Sequence, residues 1–340
     1  MKKRICIIFT GGTIGSATDG GIVHLSGGSK KLLIDLYEQK YGDGVEFTTL
    51  SPVNMLSENV QPENLKALYY CVRSVSAEDF DGVIITHGTD TLCFTANYLS
   101  QVLCDFPLPV VLVSALYPLR DKRSNGLENF AAAVNFIGEG LSGVYVSFKN
   151  PGEKLKIHLA SRLTFSDQLN GHYHSVLCTP FAEIEGDKIN YVNSPVNPAP
   201  EQIKNRDCSP LHDTLCTDIM LITARSLFNF GMYDFSRVKP KAVIIELYHS
   251  GTVCTKGDKL NFINFAAYCK EQGVPLVIAP LSSKADVYGS MSGLPDNVIP
   301  CYDLSLEMCI VKVMLAAGAG KSADAFFNVN CFFEKLDGAL

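Results

Sequence analysis

Two short segments of the 340-residue chain gather hydroxyls, glycines and an acid where carbonyl chemistry could be done. The first is Thr10-Gly11-Gly12-Thr13-Ile14-Gly15-Ser16, directly after the apolar run Ile5–Phe9. Paired glycines let a backbone turn sharply and leave room for a ligand to approach, and three hydroxyls share that turn. The second is Thr86-His87-Gly88-Thr89-Asp90-Thr91, between the run Gly82–Thr86 and an amphipathic stretch that starts at Leu92. Backbone N–H groups at a helix start carry about half a positive charge. A developing oxyanion fits there, and losing one such donor costs about 2.7–4 kcal/mol of transition-state stabilisation. Neither loop suits a nucleotide: GG-x-x-G is not the dinucleotide pattern, and no lysine stands at the phosphate-loop offset. Singly, each feature has a plain reading, the glycines as a turn, the threonines as helix caps and His87 as a structural histidine. Two Thr-Gly loops at strand ends, one with an adjoining Asp, together mark a site.

Placing those loops requires strands before them and helices after. Ile5–Phe9, Gly82–Thr86, Val110–Val113 and Val144–Phe148 read as buried strands, and Leu65–Val75, Leu92–Cys104 and Leu127–Ile137 have helical spacing. Pro62 suits a first helical position, with Glu63 in the first turn. This alternation predicts an α/β fold with a parallel sheet, whose ligands sit beyond the carboxyl ends of the strands. Gly186–Pro210, rich in Asn and Pro, reads as a break. Strands near Ile219–Ile222, Ala242–Leu247 and Pro275–Ala279 and helices near Leu260–Lys270 and Leu306–Ala316 follow it. The expected organisation is a large N-terminal catalytic α/β domain over 1–188, a linker over 189–212, and a smaller C-terminal α/β domain over 213–340.

Length agrees, since about 150 residues per domain predicts about two domains. With 29 basic and 35 acidic residues the net charge is −6, so nucleic acid is not an expected partner. The chain is 47% apolar and 19% charged, the composition of a packed globular protein. Its twelve cysteines are scattered without a C-x-x-C, which disfavours structural zinc and a redox dithiol. After Lys2-Lys3-Arg4 only Ile5–Phe9 is apolar, too short for a signal peptide. The stretch 106–119 carries three prolines and cannot span a bilayer. A cytoplasmic location with no membrane association is expected. No metal site is expected either: His158, His172 and His174 keep no helical register. The alternation His172-Tyr173-His174 puts both rings on one face, read as a surface or structural role.

Thr10–Gly15 (TGGTIG) and His87–Thr91 (HGTDT), each following a strand, resemble the two signature segments of the bacterial-type L-asparaginase/glutaminase family. Met55-Leu56-Ser57-Glu58-Asn59 is similar to its substrate loop, and Ser114-Ala115 with Ser124-Asn125-Gly126 to a later strand-end segment. Asn125 stands where the family usually has Asp. Ile184–Ile189, Ala279–Ser283 and Asp303–Ser305 extend the resemblance over most of the chain, and the cytosolic (type I) branch is the nearer one.

The resemblance implies an amidohydrolase that converts L-asparagine, and also L-glutamine in some members, to the acid and ammonia, without a cofactor. Thr13 would be the first nucleophile. Thr89, Asp90 and a lysine would form a hydroxyl–carboxylate–amine relay. Lys156 is assigned as that lysine because it precedes Phe165 by the family's nine positions, with Lys154 as the fallback. Backbone N–H groups of Thr89 and Ala115 would form the oxyanion hole, beside Gly88. Ser57 and Glu58 would hold the substrate's α-carboxylate and α-ammonium. A homodimer or homotetramer is implied. One departure bears on activity: the family's loop tyrosine after the first threonine is replaced by Ile22, with His24 as the candidate substitute in a Gly20–Gly28 segment read as a lid. The alternatives to the hydrolase are a non-catalytic or regulatory amino-acid-binding protein on the same scaffold, which Ile22 motivates, and an amide-donating component of a tRNA amidotransferase.

Overall fold

An uninterrupted apolar run such as Ile5–Phe9 is satisfied only inside a sheet covered on both faces. In the computed structural model, which describes residues 2–12, 14, 16–19, 22–25 and 29–336, that run fills β1 (Lys3–Phe9) and is buried throughout. The residues divide into two compact units, Met1–Asp213 with Cys331–Phe333, and Thr214–Asn330 with Glu334–Leu340.

In the first unit β1 is followed by the hairpin β2 (Ser16–Asp19) and β3 (Ile22–Leu25), then α1 (Ser29–Tyr41), β4 (Val45–Leu50) and α2 (Pro62–Arg73). Next come β5 (Gly82–Thr86), α3 (Leu92–Val102), β6 (Pro109–Val113), α4 (Gly126–Ile137), β7 (Gly143–Lys149) and β8 (Leu155–Leu159). β9 (Ala182–Glu185), β10 (Lys188–Tyr191) and the short α5 (Pro200–Lys204) complete it. The sheet order is β10-β9-β8-β7-β6-β5-β1-β4, parallel from β4 to β7 and antiparallel beyond. α2 starts as its sequence dictates: Pro62 opens it, Gln61 N donates to Asn64 Oδ1 at 2.9 Å, and Leu65, Leu68 and Val72 form the buried stripe.

The order matters for function. From β1 the chain goes to one side for β4, then crosses to the other side for β5. β1 is therefore the switch point of the sheet, the place in such sheets where ligands bind, beyond the carboxyl ends of the strands.

The segment 189–212, expected as a linker, groups with the first unit. Ile203 of α5 is buried, and the Arg206 guanidinium donates to Cys104 O at 2.6 Å and Ser142 O at 2.9 Å. The stretch read as a glycine-rich lid contains β3, which pairs antiparallel with β2 just before it, while Gly20, Gly21, Gly27 and Gly28 lie outside the described residues.

The second unit is a smaller parallel sheet of β11 (Ile219–Thr223), β12 (Ala242–Glu246), β13 (Leu276–Leu281) and β14 (Val298–Tyr302), in that order, with α6 (Phe262–Glu271), α7 (Leu306–Gly318) and α8 (Ala323–Phe327). Alternate strand residues serve opposite faces. Val243, Ile245, Leu276 and Ile278 pack with Phe262, Phe265 and Cys269 of α6, while Ala242, Ile244, Val277 and Ala279 pack with Met308, Cys309 and Val313 of α7. Among the described residues no helix is long and apolar enough to cross a membrane.

Candidate active site

The ends of β1 and β5 are tied by a side chain: Thr10 Oγ1 donates to Thr86 O at 2.7 Å. The chain then draws in a third segment. Met55 N donates to Thr10 O at 2.9 Å, and Gly11 pairs with Met55 as an isolated parallel bridge. Gly12, at φ +76°, turns the chain so closely over the second loop that a Cβ there would stand 2.3 Å from Gly88 N. A Cβ on Gly88 would in turn stand 2.4 Å from Ser57 Oγ. Residues 10–12, 55–57 and 86–91 thus meet at van der Waals distance, and only glycine fits at two of the contacts.

Ser57 locks the arrangement. Its hydroxyl donates to Asp90 Oδ2 at 2.8 Å and accepts from Asp90 N at 3.3 Å, and its carbonyl accepts from Thr91 Oγ1 at 2.8 Å. Ser57 is buried, whereas Asp90 and Glu58 are exposed and Thr89 is half-buried. A serine donating to an ionised carboxylate makes a charge-assisted bond, stronger than a neutral one. It fixes Asp90 at the start of α3, where the helix dipole favours negative charge.

Beneath the loop, His87 is fully buried between two partners. Nδ1 lies 2.8 Å from Gly88 O, which can only accept, so the proton sits there; Nε2 lies 3.0 Å from Thr95 Oγ1 and accepts from that hydroxyl. Burial, set against the Gly88 carbonyl and Asp90, pushes its pKa below the usual histidine value. A neutral ring with both nitrogens engaged is a post under the loop, as its plain reading from sequence has it. His87 N donates to Val113 O at 2.9 Å and Ser114 Oγ to His87 O at 2.7 Å, joining this loop to the end of β6.

Ala115 follows and is fully buried. Asn125, at the start of α4, accepts from Leu116 N at 3.0 Å and donates to Lys149 O at 2.8 Å. An aspartate could make the first of these bonds and not the second, which accounts for the amide here.

Of the remaining expected residues, Thr13 lies outside the described residues. Its neighbours are Gly12, packed on Gly88, and Ile14, which is fully buried. Ile22 and His24 fall on β3, opposite Asp19 and Ala17, and their side chains lie outside the described part.

Lys156 is paired with a carboxylate outside the 87–91 loop. It sits on β8 opposite Phe148 and Glu183, and its ammonium pairs with Glu153. Among the described residues no ion pair joins it to Asp90. The reason is local: Glu153, in the turn before β8, offers a carboxylate three residues away, which Asn150 Nδ2 also approaches at 3.3 Å. The bond from Lys156 holds the Glu153 carboxyl below its ordinary pKa. The fallback, Lys154, is engaged by Glu183 at 3.3 Å and Glu185 at 2.8 Å.

What stands against the Thr89 loop instead is Tyr173. Its hydroxyl donates to Thr89 O, its ring is buried, and its own N and O are held by the Asn150 amide at 2.9 Å each. Burial pushes the phenol pKa up, so it remains a donor. The signal was present in the sequence, because in His172-Tyr173-His174 the tyrosine must face away from both imidazoles.

The family model for the asparaginase N-terminal domain matches residues 4–197. L-asparaginase of Thermococcus kodakarensis is 26% identical over 326 residues, covering 93% of this chain and 93% of that protein. A solved structure of the thermostable L-asparaginase from that organism has a TM-score of 0.77 at 24% identity, covering 98% of this chain and 99% of that one. A component of the glutamyl-tRNA(Gln) amidotransferase of Methanosphaera stadtmanae is 26% identical over 347 residues, covering 96% of this chain and 75% of that protein. With more than half of its length matched by that family model and both strand-end loops in place, this chain belongs to the asparaginase family.

Proposed function

We propose that this asparaginase-family amidohydrolase acts on L-asparagine, with L-glutamine as a second amide, to give the acid and ammonia. The observation that carries the reading is the convergence of the two strand-end loops through Gly12 and Gly88, with Ser57 bonded to Asp90 at 2.8 Å. In this reading Thr13 attacks the side-chain amide carbon and ammonia leaves. Water then attacks the resulting acyl-enzyme, with Thr89 and Asp90 as the second hydroxyl and its acid. A threonine hydroxyl is a poor nucleophile unaided and needs a nearby base. Backbone N–H groups of Thr89 and Ala115, beside Gly88, receive the oxyanion. Ser57 and Glu58 hold the α-carboxylate and α-ammonium, with Asp90 beside the ammonium. For Lys156 to complete the relay, its ammonium exchanges Glu153 for Asp90.

The site is assigned to a small amino acid rather than nucleic acid, in keeping with a net charge of −6. A homodimer or homotetramer in the cytoplasm is the assembly and location that go with this reading, and twelve free cysteines suit a reducing compartment. The Lys156–Glu153 pair favours a second reading, an amino-acid-binding protein without turnover. Ammonia release from millimolar L-asparagine and L-glutamine at high protein concentration, with calorimetric binding alongside, decides between them. Release supports the hydrolase. Binding without release supports the second reading, and neither ends both.

A further inference from the structure

We propose that His172, His174 and Asp167 form a binding site for one divalent transition-metal ion, with zinc as the best match. Along the chain Asp167 keeps no ligand spacing with the histidines. Folding brings it back: Asp167 N donates to His172 O and Gly171 N to Asp167 O, both at 2.9 Å, closing a tight hairpin. One donor atom from each of the three side chains lies within 4.8 Å of the others. His174 Nε2 stands 3.3 Å from Asp167 Oδ2, and the two imidazole centroids are 6.4 Å apart.

The backbone under these groups is fixed independently of any ion. Thr164 N and Oγ1 both donate to His174 O at 2.9 Å, His172 N donates to Asn170 Oδ1 at 2.8 Å, and the Asn150 amide grips Tyr173 between them. Ligands on a tetrahedral zinc lie about 3.4 Å apart. The His174–Asp167 pair already has that separation, and the remaining gap closes by side-chain rotation of about 1 Å. Two imidazoles and one carboxylate select zinc, cobalt or nickel over magnesium or calcium, which prefer all-oxygen sites. The three side chains are 20%, 30% and 49% exposed for His172, His174 and Asp167, which leaves an open side for water as a fourth ligand. Glu153 Oε1 lies 4.0 Å from His172 Nδ1, but Lys156 neutralises that carboxylate, so the donor set is three. The site flanks Tyr173, which reaches the Thr89 carbonyl, so an ion bound there stiffens the brace of the 87–91 loop.

The test is calorimetric titration of ZnCl2 into the full chain under a non-chelating reductant, beside the His172→Ala/His174→Ala double variant and the milder His174→Gln. Exposed thiols at Cys178 and Cys254 bind zinc too, so the reading is the difference between proteins that share them. One zinc equivalent present in the parent, weakened at least 100-fold in both variants and absent with MgCl2, is the expected result. A zinc-dependent rise in melting temperature confined to the parent accompanies it. Equal zinc binding by parent and variants, or equal binding of magnesium, overturns the proposal.

Discussion

Replacing Gly88 with alanine is the sharpest perturbation of the site, because one methyl group decides whether Ser57 can reach Asp90. Gly88 does not occupy the left-handed backbone region, so alanine meets no conformational penalty there. The penalty is spatial. The new Cβ would lie 2.4 Å from Ser57 Oγ and 2.6 Å from Ser57 Cβ, where ordinary contact begins at 3.4 Å. Ser57 must therefore retreat by about 1 Å, and overpacking of this kind costs about 1–3 kcal/mol of stability. A retreat of that size breaks the 2.8 Å bond to Asp90, and displacements of about 1 Å in catalytic groups cost about 100-fold in rate. Initial rates of ammonia release and urea denaturation measure the two effects. Trimming the obstacle distinguishes this cause from others. In a Ser57→Gly background the next nearest atom is Gly12 Cα at 3.4 Å, an ordinary contact. Gly88→Ala added to Ser57→Gly should then cost less than about 0.5 kcal/mol further, a strongly non-additive pair. A single variant as active as the parent, or a double variant showing the full sum of both losses, would refute the reasoning.

Other outcomes follow from the same structure. Lys156→Met should lower kcat for ammonia release by about 100-fold or more if Lys156 serves the relay; unchanged turnover makes it only the ion-pair partner of Glu153. In the second unit, Lys312 Nζ and Glu334 Oε1 form a 2.8 Å pair with both side chains fully buried. Lys312→Met leaves that carboxylate without its ammonium and should cost about 3–5 kcal/mol, whereas adding Glu334→Leu should restore most of it, both read by denaturant unfolding. His158, with its pKa pushed down to about 3 by burial first and then by Lys156 and His174, and His87, also pushed down, are neutral when folded. The unfolded chain takes up their protons below about pH 6.5, so stability falls as pH falls from there towards 3. At pH 5 this amounts to about 2 kcal/mol for His158, and His158→Gln should flatten that acid limb in a pH series of melts.

The strands and helices flanking the site were legible because their residues are buried on every face or along one stripe. Ile5–Phe9 and Gly82–Thr86 are examples of the first, and Leu65, Leu68 and Val72 of the second. Elements at the margins carry weaker signals. β4 is an edge strand whose residues are mostly exposed, and β14 contains Pro300, which argues against a strand when read alone. The site loops were legible from glycines whose space is filled by neighbouring backbone at Gly12 and by the Ser57 side chain at Gly88. The partner of Lys156 was not, because register along the chain does not say which of several carboxylates is nearest. Tyr173 and Asp167 reach their places through a hairpin turn, and a pattern of residue spacings does not encode such a return.

Whether Thr89 does chemistry at the junction of the two loops is tested most directly by the turnover of Thr89→Ala. That hydroxyl lies half-buried at a loop, so its loss should leave the fold and melting temperature within about 0.5 kcal/mol of the parent. Measurable ammonia release from L-asparagine by the parent, and a fall of at least about 1,000-fold in the folded variant, are the expected results. Equal rates from the two proteins would contradict a catalytic Thr89.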